Sequence, residues 1–90
     1  MMSVSFPNPS RSFDAHTQRV CFWGYDRALE ITFFVDAEAL KRLNPDMADA
    51  EAGFLQTFDA AVTRIHEVAN NVHKRTGKGS YAYELGADNF

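Results

Sequence analysis

Residues 28–35 alternate so that the large apolar side chains of Leu29, Ile31, Phe33 and Val35 fall on one face of an extended segment. Residues 19–25, rich in β-branched and aromatic side chains, form a second extended segment just upstream. Only Asp26-Arg27 separates the two runs, so they read as a hairpin. A two-residue loop at Asp26-Arg27 sets Tyr25 opposite Ala28, Gly24 opposite Leu29, Trp23 opposite Glu30, Phe22 opposite Ile31, Cys21 opposite Thr32 and Val20 opposite Phe33. This register gathers Val20, Phe22, Leu29, Ile31 and Phe33 on one side. A slip of one residue would scramble that face. Asp-Arg is not a favoured pair for a two-residue loop, so a longer loop with a bulge is the alternative. The second face of the hairpin carries Cys21, Trp23 and Tyr25 together with Glu30, Thr32 and Phe34.

The flanking segments supply cover. Residues 1–11 read as an extended arm, because Pro7 and Pro9 fix φ and bias Phe6 and Asn8 toward extended backbone. The remaining residues, 12–90, read as a single domain. A short strand is expected at residues 12–15, followed by a polar turn at His16-Thr17-Gln18. Asp36 is a suitable N-cap for a short helix carrying Ala39, Leu40 and Leu43, which Asn44-Pro45 ends. Asp46 or Asp49 then caps a longer helix. Its stripe of Phe54, Leu55, Phe58, Ala61, Val62, Ile65, Val68, Ala69 and Val72 runs at spacings of three, four and seven. Gly53, in its first turns, marks a late start or a kink, and Gly77 suits the C-terminal cap. Thr57, Thr63, Arg64, Glu67, Asn70, Asn71 and Lys74 form the polar face. Alternation from Ser80 to Leu85 gives a last strand, and a short tail follows. The expected order is β-β-β-α-α-β, an α+β fold with a mostly antiparallel sheet and two helices on one face.

Ninety residues with 46% hydrophobic and 23% charged side chains suit one small globular domain and exclude a disordered or low-complexity chain. A single Cys excludes an internal disulfide framework. No apolar run approaches the ~20 residues that span a bilayer. The first ten residues have neither the basic nor the apolar region of a signal peptide. The expectation is a cytoplasmic protein with no membrane contact. A net charge of −3 argues against a coat for phosphate backbones. The acids concentrate in residues 36–60 and the bases in residues 61–79, which suits helices with acidic starts and basic ends.

Little in the sequence forms a catalytic or metal constellation. His66 and His73 are seven residues apart, ~10.5 Å along a helix, and the residue four after His66 is Asn70. Both histidines read as members of a solvated polar helix face. Cys21 reads as a small half-buried strand residue without a partnering base. Gly77-Lys78-Gly79-Ser80 lacks the upstream glycine of a phosphate loop and follows a helix, the reverse of the phosphate-loop order. No metal, cofactor or catalytic residue is expected.

The string from Ser5 to Arg11, the hairpin run Val20-Cys21-Phe22-Trp23-Gly24-Tyr25 and the junction Phe34-Val35-Asp36-Ala37-Glu38-Ala39-Leu40 carry a resemblance. So do Phe58-Asp59-Ala60 before Arg64-Ile65-His66, and the ending with Leu85, Asp88 and Phe90. Through their order and spacing, from Phe6 to Phe90, the chain resembles the bacterial family catalogued as domain of unknown function 1488. The resemblance implies a small α+β protein of proteobacterial type and no activity.

The feature that remains is the aromatic second face of the hairpin, since Trp and Tyr are enriched at binding hot spots. The arm, through Phe6 or Phe13, or the tail, through Phe90, is the intramolecular alternative for covering it. The sequence therefore points to a non-catalytic interaction module, binding itself as a homodimer or a protein partner. Its expected contact residues are Trp23, Tyr25, Phe34 and Glu30, with Arg19 and Arg27 at the rim. The competing readings are a single-stranded nucleic-acid binder that stacks bases on Trp23, Tyr25 and Phe34, and a small metabolite-binding protein or enzyme.

Overall fold

A computed structural model of the chain describes residues 4–6, 11–76 and 82–90. Strands β1 (Arg11–Asp14), β2 (Arg19–Asp26) and β3 (Leu29–Asp36) precede helices α1 (Ala37–Leu43), α2 (Glu51–Ala60) and α3 (Val62–Thr76). Strand β4 (Ala82–Leu85) and a single 3-10 turn, Ala87–Asn89, complete the order. The fold is α+β, with one sheet in the spatial order β1-β2-β3-β4. Strand β1 pairs antiparallel with β2, and β2 with β3, but β4 runs parallel to β3. The sheet is thus mixed, and the helices number three rather than two. The physical reason for the parallel pair is the connection. An antiparallel neighbour can follow a tight turn, whereas the chain between β3 and β4 passes through all three helices.

The hairpin forms with its turn one residue further along than expected. Asp26 pairs with Leu29, so the loop is Arg27-Ala28, and Arg27 takes the left-handed conformation at φ 62°. Every cross-strand pair moves by two residues: Phe22 faces Phe33, Val20 faces Val35, Trp23 faces Thr32 and Tyr25 faces Glu30. A two-residue shift keeps every side chain on its expected face. The shift stacks Phe22 on Phe33 with ring centroids 5.2 Å apart and retains Asp26 within the strand. Leu29 departs from expectation. It has inward parity but lies on the last rung and is 55% exposed. The turn between β1 and β2 is built by Asp14, whose carboxylate accepts from the His16 N–H at 3.0 Å and the Thr17 hydroxyl at 2.8 Å.

The core fills one side of this sheet. Val20, Phe22, Ile31, Phe33, Val35, Tyr83 and Leu85 pack against Leu40, Phe54, Phe58, Ile65, Val68 and Ala69. Asp36 caps α1, its carboxylate accepting from the Ala39 N–H at 2.8 Å. Helix α2 is capped by Ala50 without a side-chain bond, so neither Asp46 nor Asp49 serves as its cap. Asp49 instead lies 3.8 Å from the Lys41 ammonium. The expected long helix is broken at Ala61, whose φ of −111° and ψ of 16° leave the helical region while its N–H is shared between the Thr57 and Phe58 carbonyls. The apolar stripe crosses this break in phase, which is why periodicity does not register it. Gly53 makes room for the chain entering α2, since a Cβ there would collide with the Ala48 carbonyl. Thr57, expected on the polar face, is buried within hydrogen-bond distance of Asn44.

The chain start also joins the core. Ser5 exchanges two backbone hydrogen bonds of 2.8 Å with Tyr25, and Asn70 on α3 accepts from the Val4 N–H at 2.6 Å. Val4 is buried, and Phe6 stacks on His66 with ring centroids 3.8 Å apart. Pro7, Pro9, the cap at Gly77, the Gly77-Lys78-Gly79-Ser80 segment and Tyr81 lie outside the described residues.

Candidate functional site: the open face of the sheet

The pleat sends alternate residues to opposite faces. Because Val20, Phe22 and Gly24 point into the core, Arg19, Cys21, Trp23 and Tyr25 must point away from it. Register then fixes their neighbours: Ser12 beside Cys21, Thr32 beside Trp23, Glu30 beside Tyr25, and Phe34 beside Cys21. Ala82 and Glu84 of β4 continue the Thr32 and Phe34 rows. The structure thus brings together Trp23, Tyr25, Phe34 and Glu30 as expected, all on the face opposite the helices. Arg19, the first residue of β2, stands on the last rung of the face, between Asp14 and Asp36. Its guanidinium carbon lies 4.1 Å from the Phe34 ring centroid, and the group bridges to Glu84 at 3.0 Å. Arg27 occupies the exposed turn at the other end of β2.

None of the three candidate covers lies on this face. Phe6 packs on Phe22 and Phe33, Phe13 stacks on Phe54, and Phe90 packs against the core. Among the described residues, no helix crosses it. Trp23, Tyr25 and Phe34 are half-buried. The Tyr25 hydroxyl donates to Glu30 at 3.1 Å, and this bond, with the carboxylate charge, raises the phenol above its ordinary range. Burial pushes the Cys21 thiol up, so it is less a thiolate than a free cysteine would be.

The histidines of α3 do not lie on a solvated face. His66 is half-buried between Phe6 and Phe22, and this desolvation lowers its pKa. His73 is 5% exposed. Its Nε2 lies 2.9 Å from an Asp26 carboxylate oxygen, and its Nδ1 2.9 Å from the Tyr83 hydroxyl. With a neutral imidazole, Nε2–H donates to Asp26 and Nδ1 accepts from Tyr83. Asp26 and Tyr83 are 8% and 7% exposed, so the three groups form an internal polar triad that ties β2, α3 and β4 together. Burial first, and then the Asp26 charge, raise the Tyr83 phenol. Sequence reasoning missed this triad, yet its parity is readable. Asp26 alternates with Phe22 and Gly24, Tyr83 with Leu85, and His73 follows Ile65 and Ala69 at intervals of four.

Described residues also line two shallow grooves. One, of about 420 Å³, is lined by Asp36, Glu38, Glu84, Gly86 and the 3-10 turn. Of its four acids, Asp36 caps α1 and Glu84 bonds Arg19. The other, of about 480 Å³, lies between Leu43-Asn44 and the α2–α3 junction. Among the described residues, no group of three or more His, Cys, Asp or Glu side chains is placed to hold a metal ion. Nor is any helix among them long and apolar enough to cross a membrane.

Comparison with known proteins returns no match among curated sequences and none among solved structures. A family model does match, over residues 4–85, so that the hairpin, the three helices and β4 all fall inside it. The chain therefore belongs to the family described as protein of unknown function DUF1488.

Proposed function

We propose that the protein is a non-catalytic interaction module that binds a protein surface through the open face of its sheet. One observation carries this reading. Trp23, Tyr25 and Phe34 share a face on which, among the described residues, no helix and no aromatic side chain of the arm or tail packs, and from the arm only Ser5 borders it, beside Tyr25. A ninety-residue fold has little apolar surface to spare, and Trp and Tyr on a sheet face supply large contact area at low entropy cost. The charge on the face disfavours nucleic acid as the ligand. Arg19 is already paired with Glu84, and Glu30 stands beside Tyr25.

Site-specific photo-crosslinking in living cells tests the reading. A benzophenone side chain in place of Tyr25 is expected to capture protein, and the same group at exposed Asn71 on α3 is not. Trp23→Ala should abolish capture from position 25 while circular dichroism stays native. Equal capture from both positions, or unchanged capture in folded Trp23→Ala, would overturn it.

A further inference from the structure

Residues 4–6 are held as a bound peptide is held. On one side, Ser5 exchanges two backbone hydrogen bonds of 2.8 Å with Tyr25 at the edge of β2. On the other side, the Asn70 carboxamide of α3 accepts from the Val4 N–H at 2.6 Å and donates to the Val4 carbonyl at 3.4 Å. A carboxamide that does both stands in for the peptide group of a neighbouring strand. This double clamp reads backbone alone.

Side chains supply the selection. Successive residues of an extended segment alternate in direction, so Val4 and Phe6 turn inward while Ser5 is exposed. Val4 is buried over Gly24, where a Cβ would collide with it. Phe6 lies flat on His66, with ring centroids 3.8 Å apart, and meets the Phe22 and Phe33 rings at 5.9 and 6.0 Å. Main-chain bonds at a sheet edge with pockets for alternate side chains are the two halves of strand-addition recognition. The groove between β2 and α3 therefore selects an aliphatic residue, any residue, then an aromatic one.

The resident segment fills this groove incompletely. Ser5 stands opposite Tyr25 and Arg11 opposite Phe22, so six steps along one segment answer to three along the other. Among the described residues, Ser5–Tyr25 is the only bridge that residues 4–6 make to β2. Continued in the same register, the rung opposite Trp23 falls to position 7, which in this chain is Pro and has no N–H to donate. An incoming segment with another residue there makes the same contacts and adds that bond. A second copy's arm brings the same proline and gains nothing over the resident one.

We infer that the groove between the edge of β2 and α3 is a strand-acceptor site. It takes an extended segment of another protein, patterned aliphatic–any–aromatic–nonproline, in place of the chain's own residues 4–6. The inference does not depend on the open face. Fluorescence anisotropy tests it with two labelled peptides, residues 1–10 of this chain and the same peptide with Pro7→Val. The resident segment competes at the effective concentration of a tethered ligand, on the order of 1 mM. The Pro7→Val peptide should bind the full chain several-fold more tightly than the unaltered peptide, and Phe6→Ala in either should abolish binding. Ser5→Pro in the full chain removes the N–H that donates to Tyr25 and should tighten peptide binding about tenfold by weakening the competitor. Asn70→Ala and Gly24→Ala, with native circular dichroism, should each lose most of the binding. If Ser5→Pro does not fold, a nitroxide on Ser5→Cys in a Cys21→Ser background serves instead. It should broaden the Tyr25 amide resonance, and the Pro7→Val peptide should relieve that broadening. No binding to folded Ser5→Pro chain overturns the inference. So does equal binding to the Ser5→Pro and unaltered chains, undiminished binding to folded Asn70→Ala, or broadening that persists at saturating peptide. A full chain that dimerises and returns to one chain on adding peptide would seat a second copy's arm in the groove and refute the foreign segment.

Discussion

At the scale of single residues, the least expected feature is a polar triad placed where apolar side chains would serve packing equally well. Asp26, His73 and Tyr83 each satisfy another member of the set, and all three are largely buried. Buried polar groups are asymmetric in their energetics: a satisfied pair contributes about 1 kcal/mol, whereas an orphaned partner costs about 1–3 kcal/mol. Tyr83→Phe keeps the ring that stacks on Phe33 at 5.5 Å and removes only the hydroxyl facing His73. It is expected to destabilise the fold by about 1–3 kcal/mol in urea denaturation. His73→Leu should cost about 3–5 kcal/mol, because it strands the Asp26 carboxylate in the interior. Asp26→Leu added to His73→Leu should then recover part of that loss. Additive costs in the double variant would mean that the two side chains do not act as a pair.

At the scale of elements, the segment from Val4 to Phe6 behaves as an extension of the sheet edge. Gly24 makes this possible. A Cβ there would strike the Val4 side chain and come within 2.7 Å of the Phe6 ring. Gly24→Ala is therefore expected to lift the segment off β2 and to cost about 1–3 kcal/mol, as overpacking does. The Tyr25 amide, which donates to the Ser5 carbonyl at 2.8 Å, should then exchange with deuterium much faster, while the Phe22 amide keeps its protection. Unchanged protection at Tyr25 would show that the neighbours yield instead. The same element-level view explains what the sequence could reveal. Facing was legible, because alternation from Leu29 to Val35 and the spacing of Phe54, Phe58, Ile65 and Ala69 depend on local period alone. So was the cap at Asp36. The hairpin register was off by two because both registers bury the same residues, and only the turn at Arg27-Ala28 and the stack of Phe22 on Phe33 distinguish them. The break at Ala61 left no trace because the apolar stripe crosses it in phase, and the direction of β4 was not legible because a connection through helices permits either pairing. For the candidate site, Trp23, Tyr25, Phe34 and Glu30 were readable from parity. What parity could not give was the pairing of Arg19, whose reach over Phe34 to Glu84 crosses from β2 to β4, a neighbour that the local pattern cannot supply.

At the scale of the whole molecule, the perturbed ionisable groups bound the pH range in which the fold is stable. His66 lies against the rings of Phe6 and Phe22, and burial holds its folded pKa below the ordinary 6.5. The unfolded chain therefore binds this proton more readily than the folded one. Stability is complete above about pH 6.5 and is lost as pH falls from there through the depressed folded value. Cys21 and Tyr83 act on the other side. Burial raises both, so the folded chain resists losing those protons, and stability declines as pH rises past the ordinary values of 9.0 and 10.0. The melting temperature should thus be highest between about pH 7 and pH 9 and fall on both sides. His66→Phe retains a flat ring against Phe6 and has nothing to titrate. It is expected to flatten the fall between pH 6.5 and pH 5 while leaving the alkaline limb in place. Cys21→Ala should flatten only the onset of the alkaline limb above pH 9. Should the acid limb persist unchanged in His66→Phe, the proton responsible binds elsewhere in the chain. The stacked position of His66 would then be a packing feature without consequence for pH.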